Sequence, residues 1–411
     1  MKKFWTLRYT MINMLYFVAF CTVHAYAGVY LLDKGFTNTQ VGLALATANI
    51  LSVFAQPFVA GIIDKGGILT NRLVVMFSSL FLCAGSLLLI FVDGIKVPIF
   101  VIFVLMYMIQ FVYMPIMIAM NFEYAKAGCN INFGLARGMG SAGFAITSFF
   151  LGKAVADYGT KVILFVTIVS MALMSLVVFF FKKPTDGEKN SETDDTDKIK
   201  KSSGEKTGKD SGNIFVFAKR YPFFIVFLLG TACCFFAHNM INDFMIQIIR
   251  NLGGNETQLG YATFLQAILE LPVMALIGIV LKKISERHLL VFSAVSFFVK
   301  TAILLFATAL IGMYISQSFQ MFAYAVFIPA SAYFADNVMK ENDKVKGQAY
   351  INSAITLGGV FSNLVSGRLL DGFGVHTMLS VGLAVCLAGV IIVIIAVYPM
   401  MSKKFLKGGN Q

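Results

Sequence analysis

Apolar runs of about twenty residues recur along the whole chain, and this repetition restricts its fold more than any other feature. A helix needs about 20 apolar residues to cross a hydrocarbon layer roughly 30 Å thick. The strands of a membrane barrel would be about 10 residues long with alternating polarity, a pattern that is absent here. The sequence therefore predicts an all-α integral membrane protein with twelve spans, at about residues 9–32, 41–63, 72–92, 97–120, 133–157, 161–181, 221–248, 259–281, 288–307, 310–334, 347–370 and 377–398.

Composition and the placement of basic residues set the topology. Hydrophobic residues make up 58% and charged residues 13% of the 411, so lipid is the expected solvent. Twelve spans put both termini on one side, and the loops of the other side hold little more than Lys34, Lys96, Lys161 and Arg250. The excess of Lys and Arg predicts a multi-pass protein of the cell membrane with cytoplasmic termini. Topology alone accounts for the net charge of +12, so no nucleic-acid partner is expected.

The first span and the cysteines give no sign of processing, disulfides or metal binding. The first apolar run is too long for a signal-peptide core and lacks a small-residue cleavage site, which predicts a retained helix. The six cysteines are scattered, and their spacing favours neither a disulfide framework nor a metal site. No cofactor or metal is expected.

A polar segment divides the chain into two halves. It reads "KKPTDGEKNSETDDTDKIKKSSGEKTGKDSG" from Lys182, with mixed charge and no apolar period. Such a composition predicts a disordered cytoplasmic linker. The expected organisation is a six-helix bundle over residues 1–181, the linker over 182–220, a second bundle over 221–398 and a cytoplasmic tail over 399–411.

The two halves resemble each other in sequence. "VGLALATANILSVFAQPFVAGIIDK" (Val41–Lys65) and "LGYATFLQAILELPVMALIGIVLKK" (Leu259–Lys283) share a glycine at the second position, a proline inside the run and a glycine before a basic end. "LGKAVADYG" (Leu151–Gly159) similarly matches "SGRLLDGFG" (Ser366–Gly374). Two parallel six-helix repeats are typical of alternating-access transporters, whose substrate site lies between the repeats near the bilayer midplane.

Two local motifs carry a family resemblance that covers nearly the whole chain. The loop "GIIDKGGILTNR" (Gly61–Arg72) and the segment "FGLARGMGSAGFA" (Phe133–Ala145) resemble the major facilitator superfamily, and within it the lactose-permease-like oligosaccharide:proton symporters. Asp64 and Lys65 match a shortened form of the superfamily's gating loop.

The resemblance implies roles for particular residues. In the lactose-permease-like proteins the arginine at the position of Arg137 reaches the central cavity, binds sugar and pairs with a carboxylate on the fourth helix. Here that partner corresponds to Asn121 or Glu123, and Phe144 takes the place of a tryptophan that stacks on sugar. The family's other relay positions correspond to uncharged residues, namely Ala267, Gln317, Gln320, Ala323 and Thr356. The family's sugar and proton relay is thus largely missing.

Charged residues inside the spans are functional candidates because each costs about 3 to more than 10 kcal/mol in lipid. We predict that Glu270, halfway through the eighth span and close to Pro272, takes and releases the coupled proton. A structural ion pair or a protonated acid bonded between helices is the alternative. Lys300 is a partner for Glu270 or Asp243, or a direct ligand. Asp243 is a proton-coupling residue or a solvated helix end, and Arg137 is a cavity ligand or an interfacial side chain that reaches water.

Amides and histidines inside the spans complete the predicted substrate site. Gln317 and Gln320 are three residues apart, and Gln266 and Glu270 four apart, so each pair is expected to share a helix face. Buried amides can instead hold helices together. His24 and His238 occupy equivalent places in the two repeats. The predicted substrate contacts are Arg137, Asn121, Phe144, His24, Gln266, Gln317, Gln320 and Asn239.

These features predict a secondary active transporter. The expected substrate is a small polar organic solute such as a sugar, glycoside or nucleoside, imported with protons by a monomer in the lipid bilayer. The alternative is efflux of amphipathic compounds, although "GSAGFAITSFFLGK" lacks the proline-rich signature of antiporters. An enzyme is not expected because no cluster of nucleophile, acid and base residues or phosphate-binding glycine loop occurs. A sensor is not expected because the linker is too short and polar for an output domain.

Overall fold

The computed structural model describes residues 4–65, 69–92, 94–183 and 214–405, and these are almost entirely helical. No β-strand occurs within these four ranges. The first half contains α1 (Trp5–Phe20), α2 (Ala27–Asp33), α3 (Asn38–Asp64), α4 (Asn71–Phe91), α5 (Lys96–Lys126), α6 (Phe133–Tyr158) and α7 (Lys161–Phe180). α1 continues through a π-helical turn at Cys21–Ala25, and α2 follows after a bend of 49° at Tyr26, so that α1 and α2 form one bent span.

The second half repeats this arrangement with two broken spans. It contains α8 (Ile214–Arg220), α9 (Pro222–Asp243), α10 (Met245–Asn251), α11 (Glu256–Lys283), α12 (Glu286–Leu305), α13 (Leu310–Ser318), α14 (Gln320–Val338) and α15 (Lys344–Phe405). α9 and α10 form one span interrupted at Phe244, and α13 and α14 form another interrupted at Phe319. A short 3₁₀ turn, Glu341–Asp343, precedes α15.

The number of membrane crossings agrees with the sequence. In the described ranges, ten helices are long and apolar enough to cross a membrane, and the bent first pair adds an eleventh. α15 is interrupted at Gly374, whose φ of 80° is in a region that glycine alone enters at little cost, so α15 comprises two spans. Large apolar side chains such as Phe54, Phe91 and Phe150 point outward, as lipid contact requires. The predicted all-α fold with twelve spans is confirmed.

The internal repeat is visible in the backbone. α3 and α11 are the second spans of the two halves, and each begins with a capping box, Thr37 with Gln40 and Asn255 with Gln258. In a capping box the two side chains bond the backbone N–H groups that a helix start leaves free. The fifth and eleventh spans end at glycines of the same conformation, Gly159 (φ 80°, ψ 177°) and Gly374 (φ 80°, ψ −178°).

The two halves are joined at one end of the bundle, the end opposite the basic loops. The Asp371 carboxylate accepts hydrogen bonds from the backbone N–H of Asn38 (3.1 Å) and of Thr39 (2.8 Å). It also accepts bonds from both of their side chains, at 2.9 and 2.6 Å. A carboxylate at the N-terminus of a helix, here α3, is favoured by the helix dipole. Gln247 adds a bond to the Asn38 side chain at 3.0 Å.

Glycines let the helices of the two halves touch at this same end. A Cβ atom on Gly152 of α6 would overlap the backbone of Glu256 and Gly260 in α11. Likewise, a Cβ on Gly42 of α3 would overlap the backbone of Asn363 in α15. Such contact between backbones is typical of small residues in membrane helices. The joined end, which we call the closed end, is therefore sealed by direct packing.

We expect Gly260→Val to open the closed end, because the valine side chain would push α11 away from Ser148 and Gly152. The distance between spin labels at Tyr158 and Asn251, which lie in different halves at this end, should lengthen. Gly278→Val is the control, since nothing lies within 4 Å of its added Cβ. An unchanged label distance in Gly260→Val would contradict a closure made by helix contact.

The predicted linker lies mostly outside the described residues, which omit 184–213. Its last seven residues form the helix α8. Residues 406–411 of the predicted tail are also outside the described ranges, and α15 continues to Phe405. Asp64 and Lys65 are exposed at the end of α3, while residues 66–68 of their loop are not described.

A carboxylate near the basic loops holds α8 to the turn before α15. Asp343 is 5% exposed and accepts hydrogen bonds from Arg220 Nη1 at 2.8 Å, Tyr221 Oη at 3.0 Å and Lys346 Nζ at 3.4 Å. Burial raises the pKa of Asp343, but these hydrogen bonds lower it more, so its pKa lies below the ordinary value. Its contribution to stability is therefore present at neutral pH and is lost as the pH falls through the pKa of the folded protein.

We expect Asp343→Asn to lower the melting temperature at pH 7 by a few degrees, and the difference from the native protein to shrink below about pH 4. Thermal unfolding in detergent at both pH values measures this. Asp336→Asn is the matched control, because Asp336 is 59% exposed and pairs with Lys344 in solvent. A difference that grows on acidification would show that the sign is wrong.

Candidate functional site

A cavity of about 510 Å³ lies between the two halves. This volume suits a small organic molecule. Its wall includes eight of the residues predicted for substrate or proton binding, namely His24, Arg137, Phe144, Asn239, Asp243, Gln266, Glu270 and Gln320. They come from the first, fifth, seventh, eighth and tenth spans, so both repeats contribute.

The cavity extends away from the closed end. Its wall continues along α3 to Gln56, along α5 to Met114 and along α11 to Met274, all toward the basic loops. Among the described residues, the hydrogen bonds between the halves lie at the closed end instead. The cavity is thus sealed at the closed end, and it extends from there toward the basic loops.

A buried lysine is connected to Glu270 through an amide. Lys300 Nζ of α12 donates to Gln320 Oε1 at 2.6 Å, and Gln320 Nε2 donates to Glu270 Oε1 at 2.9 Å. Lys300 is 0% exposed and Gln320 is 1% exposed, whereas Glu270 faces the cavity. The direct pairing considered for Lys300 and Glu270 is therefore replaced by a three-residue chain. An ordered polar chain of this kind is stronger in a low dielectric than in water.

Arg137 reaches the cavity from the first turns of α6. Its guanidinium lies 4.3 Å from the centre of the Phe17 ring, and Nη1 donates to Ser141 Oγ at 3.0 Å. Glu123, one candidate partner on the fourth span, instead bonds Asn71 at 3.0 Å and Lys183 at 3.3 Å. Because a guanidinium has five N–H donors, Arg137 keeps several for a solute in the cavity.

Two histidines form aromatic walls. The His24 ring stacks on Phe20, with centroids 4.2 Å apart and an interplanar angle of 15°, and contacts Tyr107 at 3.8 Å. Both of its ring nitrogens are buried without a hydrogen-bond partner. His238 stacks on Tyr324 at 5.3 Å, and its Nε2 bonds the Asn242 amide at 2.9 Å. Both histidines, which are equivalent in the repeats, line the cavity.

Two of the residues predicted to contact the substrate are absent from the cavity wall. Asn121 (4% exposed) and Gln317 (0% exposed) are buried but do not line the cavity. Gln320 lines the cavity and Gln317 does not, so the structure does not bring this predicted pair to one wall. Asn121 lies in α5, and its Oδ1 is buried without a hydrogen-bond partner. Lys300 is also absent from the wall, and it donates a hydrogen bond to Gln320.

The sequence did not single out several lining residues. Tyr107, Tyr324, Ser141 and Asn242 line the cavity, although none was a candidate. Among the described residues no group of three or more His, Cys, Asp or Glu side chains could hold a metal.

The fold and the two-repeat cavity are those of a membrane transporter, and the sequence comparison agrees. The sequence model of the MFS_1 like family matches residues 6–401. The chain therefore belongs to this family of major facilitator transporters, and it is a transporter rather than an enzyme. The resemblance to the major facilitator superfamily is confirmed.

Solved structures show the same fold. A variant of the nucleoside transporter NupG aligns with a TM-score of 0.76 and 12% identity, covering 97% of this chain and 99% of that one. NupG itself aligns at 0.74 and 14%, covering 95% and 98%. A bacterial homolog of the human lysosomal transporter Spinster, in an inward-facing and unoccupied conformation, aligns at 0.65 and 13%, covering 99% and 98%. No curated protein sequence matches the chain.

Proposed function

We propose that this protein is a secondary active transporter that imports a small polar organic solute, a sugar, glycoside or nucleoside-like compound, together with protons. The observation that carries the proposal is a cavity between the repeats in which Arg137 and Glu270 line the same wall. That NupG, a structural neighbour, is a nucleoside transporter supports the nucleoside-like class. The protein acts in the cell membrane with both termini in the cytoplasm, as the distribution of Lys and Arg favours.

The conformation described here is inward-facing under this topology. The closed end is then extracellular, and the cavity leads toward the cytoplasm. The bundles over residues 1–181 and 221–398 would rock about the fixed site, joined by the linker. Because both repeats of one chain build the site, a monomer suffices for transport.

Glu270 is the proposed proton acceptor. With its proton bound, the carboxyl group is neutral, so the loaded carrier crosses the membrane with one positive charge more than the empty carrier. After the proton leaves, the carboxylate is balanced by the Lys300 ammonium through Gln320. The empty carrier can then return without an uncompensated buried charge, whose cost would otherwise be several kcal/mol.

The solute contacts follow from the chemistry of the wall. Arg137, Gln266 and Asn239 offer donors and acceptors to hydroxyl groups or to ring heteroatoms. His24 and Phe144 present ring surfaces for the planar or apolar face of the solute. Such a division between polar and aromatic contacts suits a compound with both a ring face and several hydroxyls.

A ligand screen tests the proposal directly. Thermal unfolding of the purified protein should shift upward with one of uridine, adenosine, lactose, methyl β-glucoside or 4-hydroxybenzoate, and the shift at the same ligand concentration should be smaller in Arg137→Ala. Uptake of the identified compound into proteoliposomes should then rise with an imposed proton gradient, acid outside. Uptake that is indifferent to the gradient would contradict proton coupling.

We expect Lys300→Met to slow net uptake strongly while leaving exchange of solute across the membrane nearly unchanged. Lys300 balances Glu270 while the empty, deprotonated carrier returns. Exchange does not include this return step, because the carrier is loaded in both directions. Proteoliposome uptake, with and without solute inside, separates the two rates. Lys282→Met, an exposed lysine at the end of α11, is the control. Equal loss of both rates would argue for a merely structural lysine.

A further inference from the structure

The broken helices of the first and seventh spans meet beside the cavity. α9 ends at Asp243, Phe244 leaves the helical conformation (φ −114°, ψ 26°), and α10 begins at Met245. Gly28, just after the π-helical turn of the first span, faces the backbone carbonyl of Asp243: an added Cβ would lie 3.4 Å from that oxygen. π-helical turns and interrupted membrane helices often mark binding sites.

The charge balance at this break is negative. The carbonyl end of a helix carries a partial negative charge, and the Asp243 carboxylate is attached to the last residue of α9. Among the residues that the structure describes, no lysine, arginine or histidine nitrogen lies within 4 Å of this carboxylate. Two negative groups in the wall of a membrane cavity are unfavourable together unless a cation joins them.

Buried oxygens without partners surround the break. The Asn363 side chain is 0% exposed, its amide group faces the Asp243 carboxylate, and its amide oxygen has no hydrogen-bond partner. The Oδ1 of Asn242 is also buried without a partner, since only its nitrogen bonds His238. A proton on Asp243 would give one O–H group, which can satisfy only one of these oxygens. A metal cation contacts several oxygens at once and can therefore satisfy them together.

We propose that this break is a sodium site. Its ligands are the Asp243 carboxylate, the Asn363 amide oxygen and the carbonyl groups at the end of α9. One carboxylate with neutral oxygens balances a monovalent cation, whereas a divalent ion would leave a positive charge in the membrane. Interrupted helices bind coupling cations through such carbonyl ends. Because Asp243 lines the cavity, the ion enters from there.

The sodium site is independent of Glu270. It rests on the proposed function only in taking solute transport as the process that sodium would drive or regulate. Asp243 then belongs to coupling through sodium, and Glu270 through the proton, so each can fail without the other.

Sodium binding can be measured on the purified full chain without a solute. We expect thermal unfolding in NaCl to lie above that in choline chloride of equal ionic strength, with a saturable dependence on Na⁺, and ²²Na⁺ to bind with the same affinity. Asp243→Asn should abolish both effects. Glu270→Gln should retain them, which separates this site from the proton acceptor.

A second variant guards against misfolding of Asp243→Asn. Asn363→Ala removes one oxygen ligand and should weaken Na⁺ binding about tenfold while the protein still elutes as one peak in gel filtration. Equal unfolding temperatures in NaCl and choline chloride would overturn the proposal, as would Na⁺ binding that survives in both variants. Stabilisation that follows pH but not Na⁺ would make the break a proton site instead and would also overturn it.

Discussion

Replacing Glu270 with glutamine is expected to abolish proton-driven accumulation of solute while exchange of solute continues. Glutamine keeps the size of the side chain and can still bond Gln320, so binding and rocking are preserved. It cannot release a proton, and therefore the step that makes transport uphill is lost. In one-to-one symport a gradient of one pH unit supports about tenfold accumulation, which should fall to about one.

The measurement is solute uptake into proteoliposomes with an imposed pH gradient, with counterflow run beside it. Glu256→Gln is the matched control, because Glu256 is an acid of the same helix that pairs with Arg250 at the closed end. It should accumulate solute as the native protein does. Full accumulation by Glu270→Gln would show that Glu270 is not the proton acceptor. Loss of both accumulation and counterflow would mean that Glu270 is needed for binding or folding.

The fold could be predicted because lipid imposes a simple length requirement on apolar helices. The fifth span was placed at residues 133–157, and α6 runs from Phe133 to Tyr158. The breaks at Phe244 and Phe319 were not predicted. Neither position holds a proline or glycine, and each interruption affects one residue inside a run that stays apolar. An apolar run shows where a span lies, but it does not show whether the backbone hydrogen bonds of the helix are continuous.

The charged members of the site were found for the same physical reason. Arg137, Asp243 and Glu270 are costly in lipid, so a cavity was the natural place for each. The connection from Lys300 to Glu270 through Gln320 was not foreseeable, because it depends on how α11, α12 and α14 pack.

The aromatic and amide contacts were harder to assign than the charges. Tyr107 and Tyr324 line the cavity, but aromatic residues are frequent on every face of these helices, so their sequence pattern does not separate cavity from lipid. Gln317 was grouped with Gln320 by spacing alone, and spacing does not show whether a helix face meets a cavity or a neighbouring helix. Residues whose burial is costly can thus be found from sequence, while those whose burial is favourable need the packing.

Arg137→Ala is expected to weaken solute binding about tenfold to a hundredfold, because hydrogen bonds to a charged group contribute about 1.5–3 kcal/mol. The guanidinium is held by Phe17 and Ser141, and its remaining N–H groups are available to the cavity. Arg137→Lys keeps the positive charge but loses the planar set of donors, so it should bind with intermediate affinity. If charge alone were needed, lysine would restore full binding.

Binding of the compound found in the ligand screen measures this, by the concentration dependence of thermal unfolding for each variant. Arg72→Ala is the control, since Arg72 bonds the Phe179 carbonyl near the basic loops at 3.4 Å and does not line the cavity. It should bind as the native protein does. Unchanged affinity in Arg137→Ala would mean that this arginine serves only to reach water at the membrane surface, and the substrate site would then have to lie nearer to the closed end, around His24 and Asn239.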